Sequence, residues 1–211
     1  MIPHTREEIL IQSGPMKSFD FGIDANDPES VKMITHILRN SLYTDKILAI
    51  IREYSTNGAD ANIENNKATR PIFITLPNNL NPELRIRDSG RGLSPDEIKN
   101  IYTKYGKSSK RNSNSFVGQL GIGCKSGFAY GDNFVVTSFN NGIKTVYNCV
   151  INGSATEMAR MPMTSKDEDG IEIMIPILSK DIKTVQDKAL EFFKYWEVLP
   201  EIKGIDQSKV D

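Results

Sequence analysis

Glu53, Asn57 and Asp60 place two carboxylates and an amide at spacings of four and three residues. A helix turns about 100° per residue, so the three side chains would share an arc of roughly 60° on one face. Such a face offers a general base in Glu53, a hard oxygen donor for a divalent cation in Asn57, and a supporting carboxylate in Asp60. A plain solvated helix face is the alternative. The apolar residues on either side, Ile47, Ile50, Ile51 and Tyr54 on one and Leu48, Ala59 and Ile63 on the other, argue for a largely buried helix. Polar groups between such flanks need water, partners or a ligand.

Two glycine-rich segments follow. Asp88-Ser89-Gly90-Arg91-Gly92 comes directly after a strand-like ELRIRD, which puts an acceptor at a strand end with Gly90 and Gly92 just behind it. Such a segment is either an ordinary turn or a place where a flat ring can approach the backbone. Gly118-Gln119-Leu120-Gly121-Ile122-Gly123 opens a helix, where free N–H groups can cradle phosphate. Neither standard phosphate motif fits. Cys124 separates Gly123 from Lys125, so there is no GxxxxGK[ST]; Ser126 stands where a GxGxxG beginning at Gly121 needs its last glycine.

The elements that must position these residues can be read from periodicity. EEILIQSG and KSFDFGID read as short strands joined at Gly14-Pro15, and ESVKMITHILRN after Pro28 reads as an amphipathic helix. Thr44 is expected to cap the helix DKILAIIREYSTNGADANIENN, and Ser94 with Glu97 forms a capping-box pattern before a second one. PIFITL, ELRIRD, FVVTSF, KTVYNCVI and GIEIMIPI read as strands, and KDIKTVQDKALEFFKYWEV as a late helix. Residues 106–117 carry Lys107, Lys110 and Arg111 without apolar period and read as a loop; Lys104 lies beside it. Lys125 is expected to point to solvent. The tail EIKGIDQSKVD shows no partner element. Strands and helices come in blocks, so the fold class is α+β rather than a doubly wound parallel sheet.

Composition narrows the classes further. Among 211 residues, 26 basic and 27 acidic side chains nearly cancel, so no global field draws the chain to nucleic acid or to an anionic membrane. The two cysteines, Cys124 and Cys149, form neither a CxxC pair nor a metal-ligand cluster. No leader pattern and no apolar run of membrane-spanning length is present, which points to a cytoplasmic protein. One domain over 1–211 is expected, with residues from about 200 onward the start of a linker.

In this order and spacing the boxes resemble a family. REYSTNGADAN is similar to the N-box ExxxNxxDA of the GHKL (Bergerat-fold) ATPases, RDSGRGLS to their DxGxG box, and VGQLGIGCKSGFAYGDNFVVTS to the lid hinge and following helix of chaperone ATPases. KSG after the last glycine is closer to the MORC ATPases. SLYTDKILAIIREYSTNGADAN and GCKSGFAYGDNFVVTSFNNG further resemble the N-terminal region of the rIIA rapid-lysis proteins of T-even-type phages. The resemblance reaches from about residue 30 to residue 178.

It implies a two-layer α/β sandwich with a mixed, mostly antiparallel sheet covered on one face by helices, binding ATP and Mg²⁺. Glu53 would polarise the attacking water, Asn57 would hold Mg²⁺, and Asp60 would support that site. Asp88 would accept from the adenine amino group, with Gly90 and Gly92 close to the base. Amides of Gly118, Gly121, Gly123 and Cys124 would meet phosphates. A lid at about 103–120 would carry Lys110 toward the γ-phosphate. Chaperone ATPases use a late-strand threonine on adenine where this chain reads Gly170-Ile171-Glu172, with Thr137 as the candidate substitute.

Many relatives complete the site with a basic residue from a second domain, and the chain stops short of one, so slow hydrolysis is expected. The implied output is a conformational switch with a homodimer on ATP binding, or a second protein such as an rIIB-type partner or a host defence factor. A nucleotide-binding module without turnover is the alternative. A GHKL protein kinase ranks last, because His36 lies only 17 residues before Glu53, too close for a separate phosphoacceptor hairpin.

Overall fold

In a computed structural model of the protein, residues 36–102, 123–152 and 155–205 are described. Alternation builds the sheet. Strands β1 (Phe73–Thr75), β2 (Glu83–Arg87), β3 (Asn133–Asn140), β4 (Ile143–Asn152), β5 (Ala155–Thr164), β6 (Gly170–Pro176) and β7 (Glu201–Lys203) lie in the order β5-β4-β3-β6-β2-β1-β7. Every pairing is antiparallel except β1 with β7. Register aligns Ile74, Ile86, Ile173, Val136 and Tyr147 in one row across five strands, all of them buried. The adjacent row, Phe73, Arg87, Glu172, Thr137 and Val146, must point the other way, because successive strand residues face opposite sides.

Helices cover the first of these faces. Helix α1 (Lys46–Glu64) buries Ile50, Ile51, Tyr54, Ser55, Gly58 and Asn62 and packs on β2, β6 and α4 (Ile182–Phe193). Helix α4 contributes Ile182, Val185, Ala189 and Phe193, the three- and four-residue repeat of an amphipathic helix. Helix α2 (Pro95–Tyr102) and the short α3 (Gly127–Tyr130) complete the layer. The two-layer α+β architecture expected from the sequence is the one found.

Several local expectations shift. Helix α1 is capped by Asp45 rather than Thr44: Asp45 is extended, its carboxylate accepts from Leu48 N–H at 3.0 Å, and the same carboxylate pairs with Lys188 of α4. The cap thus also ties the two helices together. Of the helix expected over 29–40 only the end is described, as a π-helical turn at Leu38–Leu42; both N-terminal strands lie outside the described residues. Strand β5 has no counterpart in the sequence reading. It is an edge strand with weak alternation and holds Pro162, which such an edge tolerates. Glu201–Lys203, expected to begin a linker, instead adds β7 to the sheet, with Leu76 N–H donating to Lys203 O at 2.8 Å.

The capping box before α2 forms as expected. Glu97 Oε2 accepts from the Ser94 N–H at 2.8 Å, and Arg91 pairs with the same carboxylate at 2.5 Å. The Arg91 guanidinium first, and the Ser94 N–H second, hold Glu97 down at about 2, from an ordinary value of 4.5. A carboxylate depressed on folding stabilises fully above its unfolded value and loses that contribution as pH falls through the folded one. Glu97→Ala should therefore lower stability by about 1 kcal/mol at pH 7, a typical capping contribution. Thermal melts should show the difference from the parent shrinking below pH 4.5 and vanishing near pH 2. A difference that is unchanged by acid would rule out the ionised cap.

Candidate functional site

Between the C-terminal two-thirds of α1, the end of β2 and the start of β6 lies a cavity of about 290 Å³. Glu53, Asn57 and Ala61 line it one helical turn apart, with Tyr54, Gly58 and Asn65 beside them. The facing stripe is therefore rotated toward Ala61 relative to the expected one. Asp60 is half-buried and is not among the lining residues. Helical geometry explains this: Asp60 falls on the opposite side of Glu53 from Asn57 and Ala61.

Asp88 closes the far wall and is 7 % exposed. Its Oδ1 accepts from the Gly90 N–H at 2.8 Å and the Ile171 N–H at 2.9 Å. Oδ2 has no hydrogen-bond partner among the described residues. Burial raises the Asp88 pKa, and the two backbone N–H groups oppose that rise. Gly90 and Gly92 both line the cavity. At Gly92, φ is +68° and an added β-carbon would lie 1.9 Å from Phe139 O, so the DSGRG turn can pass over β3 only with glycine there.

The opposite end is built from the glycine-rich segment. Gly123 lies against Glu53 so closely that a β-carbon on it would sit 2.6 Å from Glu53 Oε2. Tyr54 pins this segment. Its hydroxyl donates to Cys124 O at 3.0 Å and accepts from the Gly127 N–H at 2.9 Å. Glu53 Oε1 pairs with Arg52 at 3.0 Å. Gly123 and Cys124 thus line the cavity together with Glu53. Gly118, Gly121, Lys110 and the 103–120 lid, with Lys104, Lys107 and Arg111, lie outside the described residues.

Two expectations about side chains are overturned. Thr137 does not reach the cavity: it stands in the row of Arg87 and Glu172 on the sheet face away from the helices. The neighbouring hydroxyl on the cavity side, Ser138, is used by Leu93, accepting from its N–H at 2.9 Å and donating to its carbonyl at 2.7 Å. Lys125 is not solvent-facing but 1 % exposed. Its ammonium donates to Ile101 O at 2.9 Å, at the C-terminal end of α2, where the helix dipole favours a cation.

The sequence reading also passed over Tyr54, Gly58, Asn65 and Ile171. Gly58 had a signal, being a glycine inside a helix; a β-carbon added there would come into ordinary contact with Asp88 Cβ and Ile72 Cγ2, each at 3.4 Å. Ile171, in the stretch that lacks the late-strand threonine, supplies an apolar side chain to the wall and an N–H to Asp88.

An acidic acceptor with one oxygen held by backbone, an apolar slot and, at the other end, a carboxylate beside an amide suit a ligand with a hydrogen-bonding ring and an anionic tail. No group of three metal-ligating His, Cys, Asp or Glu side chains occurs among the described residues. No described helix is long and apolar enough to cross a membrane.

The sequence is similar to known proteins. The profile of the histidine kinase-, DNA gyrase B-, and HSP90-like ATPase family matches residues 46–189. The chain is similar to the chaperone protein HtpG of Buchnera aphidicola subsp. Baizongia pistaciae, at 25% identity over 82% of the chain and 30% of the relative. It is also similar to HtpG of Coxiella burnetii, at 28% identity over 54% of the chain and 21% of the relative. It thus spans less than a third of the length of these curated relatives.

Proposed function

Since the chain belongs to the histidine kinase-, DNA gyrase B-, and HSP90-like ATPase family, we propose that it binds ATP with Mg²⁺ in the cavity beside α1 and hydrolyses it slowly. The observation that carries this reading is Asp88: a buried carboxylate, with Oδ1 held by two backbone N–H groups, on the same cavity as Glu53 and Asn57.

In this reading Asp88 Oδ2 accepts from the adenine amino group, while Gly90, Gly92 and Ile171 flank the ring. Asn57 Oδ1 holds Mg²⁺, which when bound neutralises phosphate charge and fixes phosphate geometry. Backbone amides at Gly123 and Cys124 receive phosphate oxygens, and Gly118 and Gly121 extend that cradle. Glu53 accepts a proton from the attacking water as a general base. Asp60 acts from outside the cavity lining, through Asn57 or bound water. Positioning and electrostatics carry the rate, without a P-loop lysine.

The output is a conformational switch in which bound nucleotide orders the 103–120 segment with Lys110 and favours a second copy or another protein. The segments SLYTDKILAIIREYSTNGADAN and GCKSGFAYGDNFVVTSFNNG favour an rIIA-like setting, cytoplasmic in an infected host, with an rIIB-type partner or a host defence factor as the target. Calorimetric titration with ATP tests the binding reading. Saturable one-to-one binding is expected, weakened about tenfold or more when EDTA removes Mg²⁺, because phosphate charge then goes unneutralised. Absence of saturable binding would end it.

A further inference from the structure

Ser89, the residue that follows Asp88, is gripped on its N–H and on its carbonyl, one in each of its two flanking peptides, by residues of one short stretch, 62–67. The Ser89 N–H donates to Asn62 Oδ1 at 2.7 Å. The Ser89 carbonyl accepts from Asn65 Nδ2 at 3.0 Å and from Lys67 Nζ at 2.9 Å. Asn62 is 1 % exposed, and its amide Nδ2 donates to Arg70 O at 3.0 Å, so both ends of the side chain are engaged. Lys67 is steadied in turn by Glu168 at 2.8 Å, which also pairs with Arg70 at 2.6 Å.

This grip reaches the ligand-facing carboxylate through one peptide. Ser89 links Asp88 to Gly90, and the Gly90 N–H is one of the two donors that hold Asp88 Oδ1. Turning the Ser89 peptide would move that donor and swing the carboxylate. Hydrogen bonds weaken steeply as they bend, so the direction of Oδ2 decides how well it selects a donor over an acceptor. Asn62 is not a lining residue of the cavity, and its distance from the Glu53 stripe on α1 hides it from periodicity.

We propose that Asn62, together with Asn65 and Lys67, is a positioning clamp that aims Asp88 Oδ2 and thereby sets discrimination between 6-amino and 6-oxo purine nucleotides. It rests on the reading of Asp88 as the residue that meets the base. A 6-amino group presents an N–H to the carboxylate. A 6-oxo group presents a second acceptor, and two facing acceptors repel. A loosely held carboxylate can turn away from the oxo group, so loosening costs the amino ligand its bond and relieves the oxo ligand of repulsion.

The test is calorimetric measurement of Kd for ATP and for inosine triphosphate at fixed Mg²⁺, with thermal melts, on the parent, Asp88→Asn, Asn62→Ala and Lys67→Met. The parent should prefer ATP, and Asp88→Asn should erase or reverse the preference, because its amide offers an N–H that a 6-oxo group can accept. Asn62→Ala should reduce the ATP-over-inosine ratio by about tenfold, the equivalent of one well-made hydrogen bond, with ATP weakened and inosine triphosphate affinity held or improved. Lys67→Met should move the ratio the same way by about threefold with little change in melting temperature, and it decides the matter if Asn62→Ala does not fold. Equal weakening of both nucleotides by Asn62→Ala and Lys67→Met, with the ratio unchanged, would reduce the clamp to a structural role and overturn the proposal. If the ratio in the parent is one, or survives Asp88→Asn, it is the base-recognition reading of Asp88 that fails, and the clamp proposal with it.

Discussion

Asp88→Asn is expected to weaken ATP binding by roughly 30- to 1000-fold, corresponding to about 2–4 kcal/mol for a lost charge-assisted hydrogen bond plus a donor set against a donor. The fold should survive. Asn keeps one carbonyl oxygen, which can take the place of Oδ1 and accept from Gly90 and Ile171. Its amide nitrogen then occupies the position of Oδ2 and offers N–H to an amino group that has none to accept. Burial raises the Asp88 pKa, so the folded state holds the proton more tightly than the unfolded chain and the ionised group costs stability at neutral pH. The neutral amide removes that cost. Melting temperature should therefore hold or rise while affinity collapses, and calorimetry with a parallel melt reads both. Unchanged affinity would remove the nucleotide from this cavity.

Glu53→Ala should reduce phosphate release by about 10²- to 10⁴-fold, the usual contribution of a positioned general base, with ATP affinity kept. The separation follows from placement. Glu53 shares the end of the cavity with Gly123 and Cys124, whereas Asp88 and Gly92 are at the other end, so removing the carboxylate spares the base contacts. It also spares the core, because the Glu53 side chain lines the cavity rather than the hydrophobic cluster and its ion-pair partner Arg52 is half in solvent. Malachite-green phosphate release beside ATP calorimetry tests both halves. Equal turnover in the parent and the variant would take Glu53 out of the chemistry. No turnover in the parent, with tight binding, would make this a non-hydrolysing switch.

Much of the architecture was legible because periodicity reports burial. The buried row through Ile74, Ile86, Ile173, Val136 and Tyr147 is the alternation of PIFITL, ELRIRD, GIEIMIPI, FVVTSF and KTVYNCVI seen edge on. Strands β5 and β7 escaped for a physical reason: they are the two edges of the sheet, and an edge strand with one neighbour needs little apolar alternation. Their pairing is a backbone matter. Thr137 was misplaced because a single residue decides the face of a strand, and only the register with Glu172 shows that Ser138 has the cavity side.

Local spacing along the chain already carries the ingredients of the site: a carboxylate and an amide a turn apart at Glu53 and Asn57, an acceptor before two glycines at Asp88, and the glycine at 123 that meets Glu53. These are local facts of spacing along one element. Tertiary structure decided what spacing cannot carry. Packing of α1 against β2 and β6 turned the site stripe toward Ala61 and left Asp60 out of the cavity lining. It also buried Lys125 under the end of α2, where a carbonyl and a helix dipole offset the cost of hiding an ammonium. The Ser89 clamp brings residues 62–67 to residue 89, and Asp88 Oδ1 is held by an N–H from residue 171. Contacts between residues so far apart in the chain are set by the sheet and helix geometry that brings their backbones together, which no window of sequence displays.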